Sequence, residues 1–211
     1  MNLIHSVRRQ VWRGLSALGY EVRRNALPGS MQRPVGDMQM FLEDLRQRGF
    51  APNTILDVGA NRGLWSRMAK TVFPGANLFM IEPQTEMEPH LKKFCAEHPG
   101  SKYFLAGAGA ASSRMSLTIW DDLAGSSFLP PPSAELHTTG RQRTVPIVTI
   151  DELVSSNQMP VPQLAKLDVQ GFELEALRGA AQLFGQTEVF VLEPTFRTFD
   201  KAKNGFCGIL W

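Results

Sequence analysis

Short apolar runs recur along the chain, and several of them end in or beside an acidic residue. Their length and composition are typical of buried strands, which are predicted at residues 55–58, 78–82, 102–105, 115–120, 144–150, 164–169 and 189–193. Helical spacing or composition between them predicts helices at 37–48, 64–72, 86–97 and 173–181, and a helical turn at 151–154 that Asp151 caps. Strands that alternate with helices predict an α/β fold with a parallel, doubly wound sheet.

Three segments do not fit this alternation. Residues 3–22 carry apolar side chains at helical spacing with arginines between them, so they predict a basic amphipathic helix. Such a helix packs on its own domain, lies on a membrane surface or contacts a second copy of the chain. Residues 25–34 are rich in Pro, Gly, Ser and Asn and predict a linker, which divides the chain into 1–34 and a domain at 35–211. Residues 121–140, which include three consecutive prolines, predict a long surface loop of the lid or substrate-binding kind.

Composition narrows the class of protein. A length of 211 residues with 43% apolar and 20% charged residues suits one folded domain with a full core. The net charge of +2 gives no reason to expect nucleic acid as a partner. Cys95 and Cys207 are far apart and predict free thiols in a reducing cytoplasm. We find no apolar run of the roughly 20 residues that a membrane span needs and no pattern typical of a signal peptide. The expected location is therefore the cytoplasm, with membrane association through residues 1–34 as the alternative.

Four acids lie at or near the carboxyl ends of predicted strands, where open parallel sheets bind their ligands. They are Asp57, Glu82, Asp168 and Glu193. Glu82 ends the second strand, where a carboxylate can accept both hydroxyls of a ribose; the alternative is an exposed acid at a strand end. Residues 106–108 after the third strand form either the floor of an adenine site or a tight loop.

The turn after the first strand indicates the kind of nucleoside. It has a GxxxG spacing between Gly59 and Gly63, not the GxGxxG of dinucleotide sites, which disfavours a nicotinamide dehydrogenase. Asn61 and Arg62 fill space that a diphosphate would need. We expect the backbone N–H groups of this turn to face the amino-acid tail of S-adenosyl-L-methionine. Asp57 binds the ammonium group of that tail, orients the loop or caps the helix.

Three segments, ILDVGANRGLWS, IEPQ and LAKLDVQGFELEALRGA, together resemble the FkbM-type methyltransferase family, with TIDEL at residues 149–153 in the expected order. The resemblance covers about residues 54–193. It implies an S-adenosyl-L-methionine-dependent O-methyltransferase of the Rossmann-like class I fold that acts on a hydroxyl of a sugar, glycolipid or polyketide. By the resemblance, Asp57, Gly59, Asn61 and Glu82 bind the donor, and Asp168, with Lys166 and Glu173, lies near the transferred methyl group. Ala60 and Gly63 of the turn and Ala108 of the small-residue run complete the predicted donor site.

Asp168 is also a candidate on chemical grounds. A neutral hydroxyl is a poor nucleophile and needs an acceptor for its proton, and Asp168 lies on a strand predicted beside the one that carries the turn. The alternative is that Asp168 caps the helix that follows it. His137, in the long loop, is either a second base or a solvent-facing side chain. No His, Cys, Asp and Glu spacing resembles a metal site, so we expect none.

The chain departs from the family pattern after Glu193. Family members usually continue with a helix and a closing antiparallel hairpin, whereas residues 194–211 leave too little length for both. We therefore expect a truncated C-terminal hairpin and an open sheet edge, which self-association or the N-terminal helix would cover. The alternative function is an inactive relative that binds a ligand or partner without turnover.

Overall fold

The structure is a computed structural model that describes residues 37–193, apart from Asp122 and Pro130. The chain divides into two compact units between Phe41 and Leu42. The sheets and the cavity considered below belong to the second unit. The predicted basic helix at 3–22, the linker and the truncated hairpin after Glu193 lie outside the described residues. These features and the domain boundary at residue 34 therefore stay predictions.

The central sheet has five parallel strands, which are β1 (Thr54–Val58), β2 (Asn77–Ile81), β3 (Lys102–Phe104), β7 (Leu164–Leu167) and β8 (Val189–Leu192). Their order across the sheet is β3-β2-β1-β7-β8. The order reverses between β1 and β7, so the crevice at this switch point lies beside the carboxyl ends of β1, β2 and β7. The predicted α/β fold with a doubly wound, mostly parallel sheet is confirmed.

Helices cover both faces of this sheet, which is why its central strands are apolar on both sides. On one face lie α2 (Leu64–Val72), α3 (Glu88–Glu97) and the part of α1 (Met38–Gln47) that begins at Leu42, and they pack on alternate strand residues such as Ile55 and Met80. On the other face lie α5 (Ile150–Ser155) and α6 (Glu173–Arg178), which pack on the intervening residues such as Leu56 and Ile81. Because successive side chains of each strand point to opposite faces of the sheet, the strands contribute to two separate hydrophobic cores.

A second sheet of three strands stands between β3 and β7 in the chain. Its order is β4-β6-β5, with β4 (Gly107–Ala108) parallel and β5 (Ser113–Thr118) antiparallel to β6 (Gln142–Val148). Residues 106–108, predicted as an adenine floor or a tight loop, contribute β4. A small core that includes Leu117, Phe128 and Ile147 holds this sheet together.

Three local predictions were wrong. The loop predicted at 121–140 contains a short helix, α4 (Ala134–Thr138), because the Ser133 side chain accepts the N–H of Leu136 and caps it. The predicted helix at 173–181 ends at Arg178 and is followed by a separate 3₁₀ turn, Ala181–Leu183. Asp151 does not cap α5: Thr149 accepts the N–H of Glu152 at 3.0 Å, and Asp151 instead accepts the N–H groups of Ala181 and Gln182, both at 2.9 Å.

A search of the described residues finds no helix with the length and apolar character needed to cross a bilayer. The same part of the chain shows no group of three metal-ligating side chains.

Candidate nucleoside and methyl-transfer site

A cavity of about 270 Å³ lies at the carboxyl ends of β1, β2 and β7. The turn after β1 and the end of β2 form one wall, the segment after β7 forms another, and the loop after β5 closes a third side. The lining residues are Val58, Gly59, Asn61, Ile81, Glu82, Pro83, Gln84, Ala106, Gly107, Ala108, Leu117, Ala124, Ser126, Phe128, Asp168, Val169, Gln170 and Glu193.

Gly59 brings the turn of β1 against the end of β7. Its φ of 76° lies in the left-handed region, and a Cβ atom there would stand 1.9 Å from the backbone oxygen of Asp168. No side chain fits at that distance, so glycine is required by the contact between two strand ends as well as by the backbone. This contact brings the turn and Asp168 to the same cavity.

The N–H groups of the turn do not face the cavity as free donors. Those of Gly59 and Ala60 both donate to the Ile81 carbonyl, at 2.9 and 3.2 Å, and that of Gly63 donates to the Ala60 carbonyl at 2.8 Å. The N–H of Asn61 donates to Glu82 Oε2 at 2.8 Å. The expectation that this turn offers its amides to a ligand tail is therefore not met, because the Ile81 carbonyl, the Glu82 side chain and the turn itself already accept them.

Glu82 is almost fully buried in the cavity wall, with 3% of its surface exposed. Its Oε1 accepts the backbone N–H of Gln84 at 3.0 Å and the side-chain Nε2 of Gln84 at 3.2 Å. Burial raises the pKa of Glu82 above its usual value, against the lowering effect of its hydrogen bonds to Gln84 and Asn61. The carboxylate is thus fixed in direction by protein donors, with Oε2 accepting one of them.

Beneath the turn lies a buried cation between two carboxylates. Lys166 Nζ is 3.2 Å from Asp57 Oδ1 and 3.4 Å from Asp168 Oδ2, and Ser66 Oγ donates to Asp57 Oδ2 at 2.7 Å. Burial by itself would lower the pKa of Lys166, but the two carboxylates outweigh it and raise that pKa. Asp57 has no exposed surface and does not line the cavity, so it supports Lys166 and the start of α2 from below.

Asp168 faces the cavity and does not cap α6. Besides Lys166, its carboxylate accepts Gln170 Nε2 at 2.9 Å. Glu173, the first residue of α6, holds the turn before the helix, since its Oε1 accepts the N–H groups of Val169 and Gly171 at 3.2 and 3.0 Å. No side chain of the described residues caps the first turn of this helix. Glu193, one strand away, also lines the cavity, and the nearby charge of Asp168 raises its pKa.

The predicted site residues therefore fall into two groups. Those that line the cavity are Gly59, Asn61, Glu82, Ala108 and Asp168, whereas Asp57, Ala60, Gly63, Lys166 and Glu173 lie behind the wall. His137 lies on α4, 3.4 Å from Ser116 Oγ, and is not among the lining residues. The sequence interpretation missed Gln84, Ser126 and Phe128. Gln84 stands in the quoted IEPQ segment, and Ser126 and Phe128 lie in the segment 121–140 that the sequence predicts as a lid or substrate-binding loop.

The charge of the cavity is one-sided. Glu82, Asp168 and Glu193 contribute three carboxyl groups, and no Lys or Arg occurs among the lining residues within the described ranges. A parallel sheet with a cavity at its switch point and an acid at the end of β2 defines the class of Rossmann-like α/β domains.

Comparison with known proteins makes the class specific. The profile of the Methyltransferase FkbM domain family matches residues 57–206. The chain belongs to this family, as the resemblance had indicated.

A curated relative, "Hexuronic acid methyltransferase AglP" of Haloferax volcanii, is 30% identical over 160 residues. The match covers 74% of this chain and 60% of that protein, so the chain spans less than two thirds of the relative's length.

Two solved structures are also similar. "Methyltransferase FkbM" from Methylobacillus flagellatus KT has a TM-score of 0.46 at 19% identity, over 66% of this chain and 32% of that one. Precorrin-6y C5,15-methyltransferase from Geobacter metallireducens GS-15 has a TM-score of 0.41 at 14% identity, over 80% of this chain and 65% of that one.

Proposed function

We propose that this protein is an S-adenosyl-L-methionine-dependent O-methyltransferase that acts on a hydroxyl of a carbohydrate, glycolipid or related small molecule. The observation that carries the proposal is the cavity at the switch point, which three carboxyl groups line and which no lysine or arginine lines within the described residues. Membership of the FkbM family supports the type of reaction.

The charge of the cavity favours this donor over a dinucleotide. S-adenosyl-L-methionine carries a sulfonium and an ammonium group, and both are stabilised by nearby carboxylates. A diphosphate would meet Glu82, Asp168 and Glu193. Lys166 does not line the cavity and already pairs with Asp57 and Asp168, and the turn amides that would hold a diphosphate are already used. The GxxxG spacing of the turn and the charge of the cavity thus both disfavour a nicotinamide dehydrogenase.

Glu82 is the residue proposed to hold the ribose of the donor. It lines the cavity, and Oε2, which accepts the Asn61 N–H, has a second lone pair for a ribose hydroxyl. Ala108 and Gly107 leave space beside it, since neither extends a long side chain into the cavity. Gly59 and Asn61 form part of the cavity wall against which the donor would lie. Asp57, Ala60 and Gly63 hold the turn of this wall in place through their hydrogen bonds.

Asp168 is the residue proposed to receive the proton of the acceptor hydroxyl. Lys166 and the Gln170 amide, which both contact its carboxylate, hold it in a fixed direction. The donor, when bound, supplies a methyl group on a positively charged sulfur. Asp168 would orient the acceptor hydroxyl and take its proton while the methyl carbon bonds to the oxygen and its bond to sulfur breaks, which leaves a neutral thioether. Orientation supplies much of the rate. Lys166 and Glu173 act as positioning residues.

The proposal also covers the acceptor, the location of the enzyme and the role of residues 1–34. A carbohydrate acceptor is supported by the name of the Haloferax volcanii relative. We place the enzyme in the cytoplasm without a nucleic-acid partner, and we assign residues 1–34 to contact with a membrane surface or with a second copy of the chain. Gel filtration with and without residues 1–34, together with flotation on anionic vesicles, tests the last assignment.

The central test is a calorimetric titration of the full chain with S-adenosyl-L-methionine, S-adenosylhomocysteine and NAD⁺, followed by transfer of labelled methyl groups to hydroxylated glycans. We expect micromolar binding of the first two, no binding of NAD⁺, and label on a glycan hydroxyl. Donor binding without turnover on any glycan would favour the inactive-relative alternative. Binding of NAD⁺ alone would refute the proposal.

A further inference from the structure

Gln84 connects the candidate ribose carboxylate to the loop that closes the cavity. Its Nε2 donates to Glu82 Oε1 at 3.2 Å and to the carbonyl of Leu123 at 3.0 Å. Its Oε1 accepts the hydroxyl of Ser126 at 3.2 Å. Only 4% of the Gln84 surface is exposed, so these contacts take place inside the cavity wall.

The three contacts define the direction of the amide. A carboxylate and a carbonyl both need a donor, which only the NH₂ group supplies. The Ser126 oxygen accepts the Trp120 N–H at 3.4 Å, and its O–H donates to the amide oxygen of Gln84. Gln84 therefore uses both of its N–H bonds and its oxygen at the same time. Its own backbone N–H also donates to Glu82 Oε1, at 3.0 Å. A side chain of the same length without the amide would lose all three side-chain contacts and keep the backbone one.

The loop on the other side of these contacts adopts an unusual backbone. Leu123 has a φ of 50°, which is unfavourable for a residue with a side chain. Its N–H donates to the Trp120 carbonyl at 3.0 Å, and its carbonyl accepts both the Ser126 N–H and Gln84 Nε2. Gln84 is thus one of the contacts that hold this turn in place.

The same loop reaches the other end of the cavity. Ser127 Oγ donates to the Gln170 carbonyl at 2.9 Å, next to the Asp168 side of the site. Ala124, Ser126 and Phe128 line the cavity between these two attachments. The loop therefore reaches from the Glu82 side of the cavity to the Asp168 side, and its hydrogen bonds to Gln84 attach it on the Glu82 side.

We propose that Gln84 is a positioning residue that fixes the Glu82 carboxylate for the donor ribose and couples donor binding to the closed placement of residues 123–128. The inference rests on the proposed function, because it assigns Glu82 to the donor. A loop that is already tied to Glu82 when the donor arrives loses less conformational entropy on binding, which is a direct source of affinity.

The test compares the full-length wild type with Gln84→Met, which has nearly the same shape but neither donates nor accepts a strong hydrogen bond. Affinity for S-adenosylhomocysteine is measured by calorimetry across pH, and amide hydrogen exchange of residues 123–128 is measured with and without this probe. Gln186→Met is the matched control, since Gln186 is exposed and its side chain bonds to the Gln182 carbonyl one turn away.

We expect Gln84→Met to weaken binding of the probe by about tenfold, to speed exchange in the free protein, and to reduce the protection that the probe confers. The pH at which affinity is half lost should move upward, because Gln84 no longer favours the charged form of Glu82. The other charged groups that act on Glu82 are Asp57 on β1 and Arg143 on β6, and neither changes in this variant.

A second variant separates the effect of Gln84 on the Glu82 carboxylate from its effect on residues 123–128. Ser126→Ala removes one loop contact but leaves the Gln84–Glu82 contact, so it should speed exchange in the loop without moving the pH midpoint. A wild type that binds the probe, with Gln84→Met equal to it in affinity, pH midpoint and exchange, would overturn the inference and leave the proposed function standing. A wild type that does not bind the probe at any pH would instead overturn the proposed function.

Discussion

Substitution of Gly59 by alanine tests the contact that forms the cavity. The new Cβ would stand 1.9 Å from the Asp168 backbone oxygen, and the residue would have to keep a φ of 76°. The backbone conformation costs about 1–2 kcal/mol, and forcing atoms into a packed site typically costs about 1–3 kcal/mol more. We therefore expect Gly59→Ala to lower the free energy of unfolding by about 2–5 kcal/mol.

Gly185→Ala is the matched control. Gly185 has a similar φ of 81°, but no atom of the described residues lies within 4 Å of the point where its Cβ would stand, so only the backbone cost applies. Urea unfolding followed by circular dichroism gives both free energies, and the expected difference is about 1–3 kcal/mol. If the two variants lose the same stability within about 0.5 kcal/mol, the turn of β1 does not pack against Asp168 and the reasoning fails.

Three further predictions concern other parts of the site and its support. Lys166→Met leaves the fully buried Asp57 without its cation and should cost about 3–5 kcal/mol in urea unfolding. Glu82→Gln should weaken S-adenosylhomocysteine binding by about 1–3 kcal/mol in calorimetry. In the wild type, affinity should fall as the pH drops through the Glu82 pKa, which burial raises, and in the variant only the part of this dependence that Glu193 contributes should remain. Thr149→Ala should destabilise the protein by about 1 kcal/mol in the same unfolding assay, since Glu152 loses its capping acceptor.

Each of these predictions has a comparison within the chain. Lys93 forms an exposed pair with Glu97 at 3.9 Å, so Lys93→Met should cost little, and equal losses for both lysines would contradict a buried role for Lys166. Glu86 forms an exposed ion pair with Arg143 and does not line the cavity. A Glu86→Gln variant that weakens donor binding as much as Glu82→Gln would remove Glu82 from the site. Thr149→Ser should restore the cap; if it does not, the loss in Thr149→Ala has another cause.

The sequence was sufficient to predict the elements that follow from local patterns. The apolar runs predicted all five strands of the central sheet to within two residues, and glycine and proline breaks predicted helix ends such as those of α2. Ligands bind at the carboxyl ends of parallel strands, so the sequence predicts without the strand order that Glu82 and Asp168 lie at one edge of the sheet, and both line the cavity there.

What the sequence could not predict depends on contacts between distant segments. Asp57 and Lys166 are register partners on neighbouring strands, 109 residues apart, so the burial of their ion pair follows only from the sheet order. The sequence predicts that the turn amides face a ligand. The N–H groups of Gly59 and Ala60 instead bond to the Ile81 carbonyl, which comes within reach only once the sheet has formed. The caps were misassigned because Thr149 and Asp151 are both good acceptors, and only the 3₁₀ turn at 181–183 decides which helix end each one serves.

The most direct test of the account is a crystal structure of the full chain with S-adenosylhomocysteine. The account predicts the ribose hydroxyls within hydrogen-bond distance of Glu82 and the sulfur on the Asp168 side of the same cavity. A ligand bound elsewhere, or a ribose that does not reach Glu82, would contradict it.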